Sequence, residues 1–266
     1  MIHIISFSTG LSSAICVERV YEKYGAEAMI VVFMDTLIED DDNYRFQEEM
    51  YARWRKKYIR IVNLKEGRDP YQVGKDVQLI PNQKAAPCTF KLKIAPFVEF
   101  LESLDDDITV HIGYDFTEVH RTNATRRNYE ERGWRVDFPL LWKPYEMRKY
   151  THVARDDWGV EPPRMYGMGY SHANCGGMCV KQGQGDWIRT LINFPERFAK
   201  IEQWEKEMRD HPVRKDYALV RDSRGGTVTA MTLQALRERH ESGTQLSLFD
   251  MNNGCVQCGV GDFIND

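Results

Sequence analysis

Two residue patterns in this chain could do chemistry. The first is Ser8-Thr9-Gly10-Leu11-Ser12-Ser13, a run of small and hydroxylated residues directly after an apolar stretch. Small residues there let backbone N–H groups face an anion, and a following helix adds about half a positive charge at its N-terminus. Ser8, Ser12 and Ser13 offer hydroxyl donors, and the candidate contact set runs over Ser6, Ser8, Thr9, Gly10, Leu11, Ser12 and Ser13. The alternative is an ordinary strand-to-helix turn with Ser12 as its N-cap. The second pattern is the cysteines. Cys175 and Cys179 form C-x-x-x-C, Cys255 and Cys258 form C-x-x-C, and Cys88 is a fifth candidate. Thiolates so spaced can converge on one metal, and four soft ligands suit zinc or an iron–sulfur cluster. The alternative is a set of unconnected thiols. Cys16, inside the first helical pattern, is read as core. Arg121, Arg126, Arg127 and Arg132 form a third group whose guanidinium forks match phosphate or sulfate oxygens. Most of them are read as a solvated helix face, and Arg121 is singled out as functional.

The elements that must position these residues follow from the apolar pattern. Residues 2–7 read as a buried strand, 12–24 as a helix stopped by Gly25, and 28–34 as a strand covered on both faces. A polar helix over 41–57 and strands over 59–64 and 108–113 follow, with a helix over 92–104 between the last two. Residues 66–87 carry Gly and Pro and read as irregular. Alternation of strand and helix predicts an α/β fold, with a mostly parallel sheet whose ligands sit at the carboxyl ends of the strands. The second half changes character. It holds PLLWKP (139–144), a Pro162-Pro163 break, a helix opened by Pro195, short strands around Gly225-Gly226 and a helix over 233–240. The expected division is a nucleotide-binding portion over 1–145 and a mixed portion over 146–266 that carries the cysteine loop and the C-x-x-C tail.

Composition bounds the function classes. The 266 residues are 42% hydrophobic and 29% charged, the balance of an ordinary globular protein. No apolar run reaches the roughly 20 residues of a membrane span, so no membrane partner is expected. The net charge of −4 gives no general pull toward nucleic acid. The start, MIHIISFS, reads as a strand and not as a signal peptide, and six cysteines without an export signal suit a reducing cytoplasm.

The anion-facing run resembles the SGGxDS pyrophosphate loop of the ATP pyrophosphatases, with Ser8, Gly10 and Ser13 in register. Thr9 stands for a glycine and Ser12 for the aspartate. FMDTLIEDDDNYRF (33–46), PCTFKLKIAP (87–96), IGYDFTEVHR (112–121), PLLWKP and MYGMGYSHANCGGMC (165–179) resemble, in the same order, segments of the phosphoadenylylsulfate (PAPS) reductase family. The resemblance covers residues 4–180. It implies a three-layer, HUP-like (Rossmann-like) sandwich that binds ATP or an adenylyl sulfate, with Mg2+ as a candidate ion. Asp35, Thr36 and Gly113 would lie beside the nucleotide, while Glu39 to Asp42 are read as a solvated helix start.

Adenylyl sulfate reductases hold an iron–sulfur cluster on cysteines that Cys88, Cys175 and Cys179 match, and Cys255 or Cys258 could supply the fourth ligand. Alternatively, Cys255 or Cys258 is the mobile catalytic thiol of a reductase. Gln245–Phe249 (QLSLF) resembles a sliding-clamp-binding pentapeptide, the alternative being residues that pack the tail. The leading reading is an ATP pyrophosphatase-type enzyme that adenylates its substrate, linked to sulfur transfer or to modification of tRNA or DNA. Sulfonucleotide reduction is the alternative, and a non-catalytic nucleotide-sensing or clamp-tethered module is a third.

Overall fold

A computed structural model describes residues 1–211, 216–222, 227–243 and 260. Cys255, Cys258, the Gln245–Phe249 pentapeptide and the Gly225-Gly226 turn lie outside the described residues.

The chain opens with β1 (Ile2–Phe7), α1 (Leu11–Tyr24), β2 (Met29–Asp35), α2 (Asp41–Arg55) and β3 (Arg60–Lys65). After α3 (Pro70–Asp76) and the short α4 (Pro87–Thr89), a π-helical turn over Phe90–Ile94 leads into α5 (Ala95–Glu102). β4 (Ile108–His111), α6 (Val119–Glu130) and β5 (Arg135–Asp137) complete the sheet. All five strands are parallel, in the order β3-β2-β1-β4-β5. The parallel α/β expectation is therefore met. β5 went unrecognised because three residues carry no periodicity, and α3 because Gly74 and flanking prolines masked it. Its start is nevertheless well specified: Asp69 and Gln72 form a reciprocal capping box, with Pro70 at the first helical position.

Side-chain alternation along the strands builds the three layers. Ile5, Phe7, Val31 and Phe33 face α1 and α2, where they meet Val17, Phe46, Met50 and Trp54. Ile4, Ile30, Val32 and Val110 face the other way, toward Phe97 and Leu101 of α5 and Tyr129 of α6. Trp54 stacks edge-on against Phe7 with centroids 5.0 Å apart, and both are fully buried. Truncating either to alanine costs on the order of 3–5 kcal/mol.

The rest of the chain builds a further core. Short helices α7 (Tyr150–His152) and α8 (Arg164–Gly167) precede α9 (Gln184–Asn193) and α10 (Pro195–Arg209). The antiparallel pair β6 (Val220–Asp222) and β7 (Thr229–Met231) and α11 (Leu233–Glu241) follow. Trp187, Phe198, Ile201, Leu233 and Leu236 pack here with Tyr71, Ile80 and Leu92 from the stretch between β3 and α5. The buried Glu205 carboxylate ties this portion together by accepting from the backbone N–H of Leu219 and Leu233, each at 2.7 Å. No helix among the described residues is long and apolar enough to cross a membrane.

Candidate functional site

Strand order reverses between β1 and β4: the chain moves outward through β2 and β3, then returns to add β4 and β5 on the other side. Loops leaving neighbouring strands at such a point diverge and leave a crevice. A cavity of about 710 Å3 occupies that crevice, within the range of small-molecule sites. Ser6, Ser8, Gly10, Leu11, Ser12 and Ser13 line one side, and the segment from Ile112 through Gly113 to Arg121 lines the other. Lys149, Tyr150, Tyr166, His172 and Val260 complete the wall.

The loop between β1 and α1 is held from within. Ser13 Oγ donates to the Gly10 carbonyl at 2.9 Å and accepts from the Ser8 N–H at 3.1 Å. Its hydroxyl therefore shapes the turn, and Ser13 also lines the cavity. Gly10 precedes α1 as its N-cap and supplies no capping side chain. Leu11 N–H is met instead by the Tyr166 hydroxyl at 3.2 Å, from a residue far along the chain. Thr9 lies in the left-handed region at φ 58°, where a β-branched residue is strained. That conformation explains why a glycine is natural at this position of the loop. Thr9 is fully buried, does not line the cavity, and accepts from Asn43 Nδ2 at 3.3 Å.

Gly113 has a steric reason to be glycine. A Cβ there would meet the Ser12 carbonyl group and Ser13 Cα at 3.1 Å, so the missing side chain lets the end of β4 lie against the loop. Arg121, on the first turn of α6, pairs with Glu118 and packs over the Tyr114 ring at 4.2 Å. Burial raises the Glu118 carboxyl pKa against the opposing pull of Arg121. Glu118 is a cavity residue that sequence reasoning missed, although it lies in the same motif as Arg121. Formal charges of the described lining cancel, Arg121 and Lys149 against Asp115 and Glu118. Neutral donors and the helix dipole at the start of α1 can add to what Arg121 and Lys149 offer an anion.

Asp35 and Thr36 stand outside this cavity. The Asp35 carboxylate accepts from Leu37 N–H and Tyr44 Oη, both at 2.8 Å. Thr36 Oγ1 donates to Glu39 at 3.0 Å and lies 4.0 Å from Cys175 Sγ. Glu39 and Asp40 are buried, which corrects their reading as a solvated helix start. Glu39 accepts from Cys175 N–H at 2.6 Å, and burial raises its pKa. Asp40 caps α2 and takes charged hydrogen bonds from Arg164 and Arg197. Acidic residues flanking a helix start suggest solvent by default; here the cysteine loop and α8 cover them.

Cys88 packs in the same apolar cluster as Tyr71, Cys175 and Cys179 pack together beside Ile38, and all three are buried. A hydrogen bond between Cys175 and Cys179, reinforced by burial, raises the Cys175 pKa well above its ordinary value. Cys175 is left-handed at φ 54°, and Gly176 and Gly177 continue that turn. Among the described residues no group of three or more His, Cys, Asp or Glu side chains is arranged to hold a metal ion. None of these cysteines lines the cavity.

Fold and site together define a three-layer α/β protein with a cavity at the switch point of a 3-2-1-4-5 parallel sheet. No protein-family model matches the chain, and no curated protein matches it. Among solved structures, a phosphoadenylyl-sulfate (PAPS) reductase from Candida auris in a phosphate complex is similar at a TM-score of 0.42 and 12% identity. That similarity covers 64% of this chain and 78% of the other.

Proposed function

We propose that this chain binds an adenine nucleotide in the switch-point cavity and adenylates an acceptor with release of pyrophosphate, the acceptor being a sulfur-transfer substrate or a nucleic acid. The observation that carries this reading is the N-terminus of α1, which has no capping side chain of its own and opens into a nucleotide-sized cavity beside hydroxyl donors. Negative charge that moves onto the departing pyrophosphate would be met by fixed N–H and O–H donors, which need no reorganisation when the bond breaks. Ser12 stands where the resembled loop has aspartate, and the cavity carboxylates are already engaged. Asp115 accepts from Thr117 N–H and Oγ1, and Glu118 pairs with Arg121. These residues do not form a ready Mg2+ site, and no step is assigned to that ion. Likewise, the described thiols alone do not fit a metal centre, and none is given a role in the reaction.

A second reading, sulfonucleotide reduction by Cys255 or Cys258, is favoured by one observation. Val260, two residues beyond Cys258 in the sequence, lines the cavity and is anchored by Tyr129 Oη at 2.8 Å. Calorimetry with ATP, AMP and adenylyl sulfate, followed by product analysis, separates the readings. AMP and pyrophosphate from ATP in the presence of acceptor support the first. Sulfite from adenylyl sulfate, lost in Cys258→Ser, establishes the second. Gly10→Val tests the loop itself. Gly10 has φ −93°, a conformation any residue adopts, so the variant folds while a branched side chain enters the phosphate approach. Unchanged affinity in that variant removes the loop from the site.

A further inference from the structure

Tyr166 lies more than 150 residues from the loop in sequence, yet its hydroxyl is the side-chain group that meets the start of α1. We propose that Tyr166 is a ligand-positioning residue, whose phenol accepts from Leu11 N–H and donates its own proton to a phosphate oxygen of the bound molecule. This rests on the nucleotide reading of the same cavity and adds a specificity element to it.

Three observations support the assignment. The phenolic oxygen is 3.2 Å from Leu11 N and would be 3.4 Å from a Cβ on Gly10, so it stands over the turn where a phosphate would enter. The oxygen serves as the acceptor there, and its proton has no acceptor among the described residues. Burial raises the Tyr166 pKa, with the Leu11 N–H opposing, so the group stays a neutral O–H donor at physiological pH. Meanwhile the Ser13 hydroxyl is spent on the Gly10 carbonyl, which leaves the loop one donor short of what its sequence suggests. Tyr166 supplies that donor from outside the loop. A relayed chain, N–H to phenol to phosphate, also polarises the phenol and strengthens its outgoing bond.

The fold holds Tyr166 there deliberately. Arg164, two residues earlier, grips the buried Asp40 carboxylate with both Nε and Nη2 at 2.8 Å, and its backbone N–H donates to Asp42 at 2.6 Å. These contacts fasten α8 to the start of α2, and the phenol then reaches across to the start of α1. A ligand lacking a phosphate at this end gains nothing from the arrangement, so the residue selects for phosphorylated molecules.

The experiment compares wild type, Tyr166→Phe and Gly10→Val by calorimetry with three probes: ATP, inorganic pyrophosphate and adenosine. Tyr166→Phe keeps the ring and its packing, so its melting temperature should match wild type. The expected result is roughly tenfold weaker binding of ATP and pyrophosphate with unchanged binding of adenosine, the loss of one hydrogen bond to a charged group. Equal affinities for all three probes overturn the proposal. Tighter pyrophosphate binding also overturns it, because the hydroxyl would then be a blocker that frees Leu11 N–H when removed. Loss with Gly10→Val alone leaves the nucleotide site standing without Tyr166, whereas no binding of ATP or pyrophosphate by wild type removes both.

Discussion

Asn43 Nδ2 lies 3.3 Å from Thr9 Oγ1, and this contact joins the first turn of α2 to the strained residue of the loop between β1 and α1. Asn43 is fully buried and donates from the same amide to the Ala173 carbonyl, so one side chain ties the loop, α2 and the approach to the cysteine segment together.

Thr9 is held left-handed against its preference, at a cost of about 1–2 kcal/mol. Thr9→Val keeps that strain and removes the hydroxyl, so it should destabilise by about 1–3 kcal/mol. Thr9→Gly loses the same hydroxyl but relieves the strain, and should cost clearly less. Urea unfolding of the two variants gives the ranking; a valine variant as stable as wild type would show that the hydroxyl's hydrogen bonds, to the Ser8 carbonyl and from Asn43, contribute nothing.

Burial opposes ionisation of Asp40, but hydrogen bonds from Arg164 and Arg197 outweigh it and hold the carboxyl below its ordinary 3.8. Its folded pKa is depressed, so its contribution is complete above the unfolded value and is lost only as pH falls through the lower folded one. Asp40→Ala should therefore cost about 2–4 kcal/mol, because two arginines lose their partner, and the cost should be the same at pH 7 and pH 5.5. A cost that shrinks markedly across that interval contradicts the assignment.

A different pH window belongs to His3 and His111, whose ring nitrogens are 2.9 Å apart beneath Tyr24 and Trp142. Burial lowers both pKa values, aided at His111 by His3 and Lys23, and takes His111 down to about 3. The unfolded chain binds protons near pH 6.5 that the native pair refuses, so stability is complete above 6.5 and erodes as pH falls below it. Chemical denaturation at pH 7, 6 and 5 should show this slope in wild type and a shallower one in His111→Gln. Identical slopes would place the titration elsewhere.

The buried thiols should be inert. Cys16, Cys88, Cys175 and Cys179 are all buried, and the pKa values of Cys16 and Cys175 are raised, so the thiolate that alkylating agents need is scarce. Iodoacetamide labelling read by peptide mass mapping should leave these four unmodified in the native protein. Gly176→Ala should expose Cys175 and Cys179, because a Cβ there would sit 2.7 Å from the Ile38 carbonyl in a left-handed turn. Rapid labelling in wild type, or none in the variant, would refute this packing.

The sequence by itself determined the alternation of strands and helices, because apolar runs such as 28–34 and the spacing in α1 are local signals that need no partner. It also located the loop after β1 and the segment after β4, since loops at strand ends are where an α/β sheet collects ligands. Only the tertiary structure decided that these two loops meet across the switch point, because strand order is set by long-range pairing and not by any one segment. The same holds for β5, whose three residues become a strand only by pairing with β4. Glu39 and Asp40 could not be recognised as buried from their neighbours, as the groups that cover them come from residues 164, 175 and 197. Tyr166 is the clearest case. Nothing in its local pattern separates it from a packing tyrosine, and contacts distant in sequence, from Arg164 to Asp40 and Asp42, fasten the helix that brings its hydroxyl to Leu11.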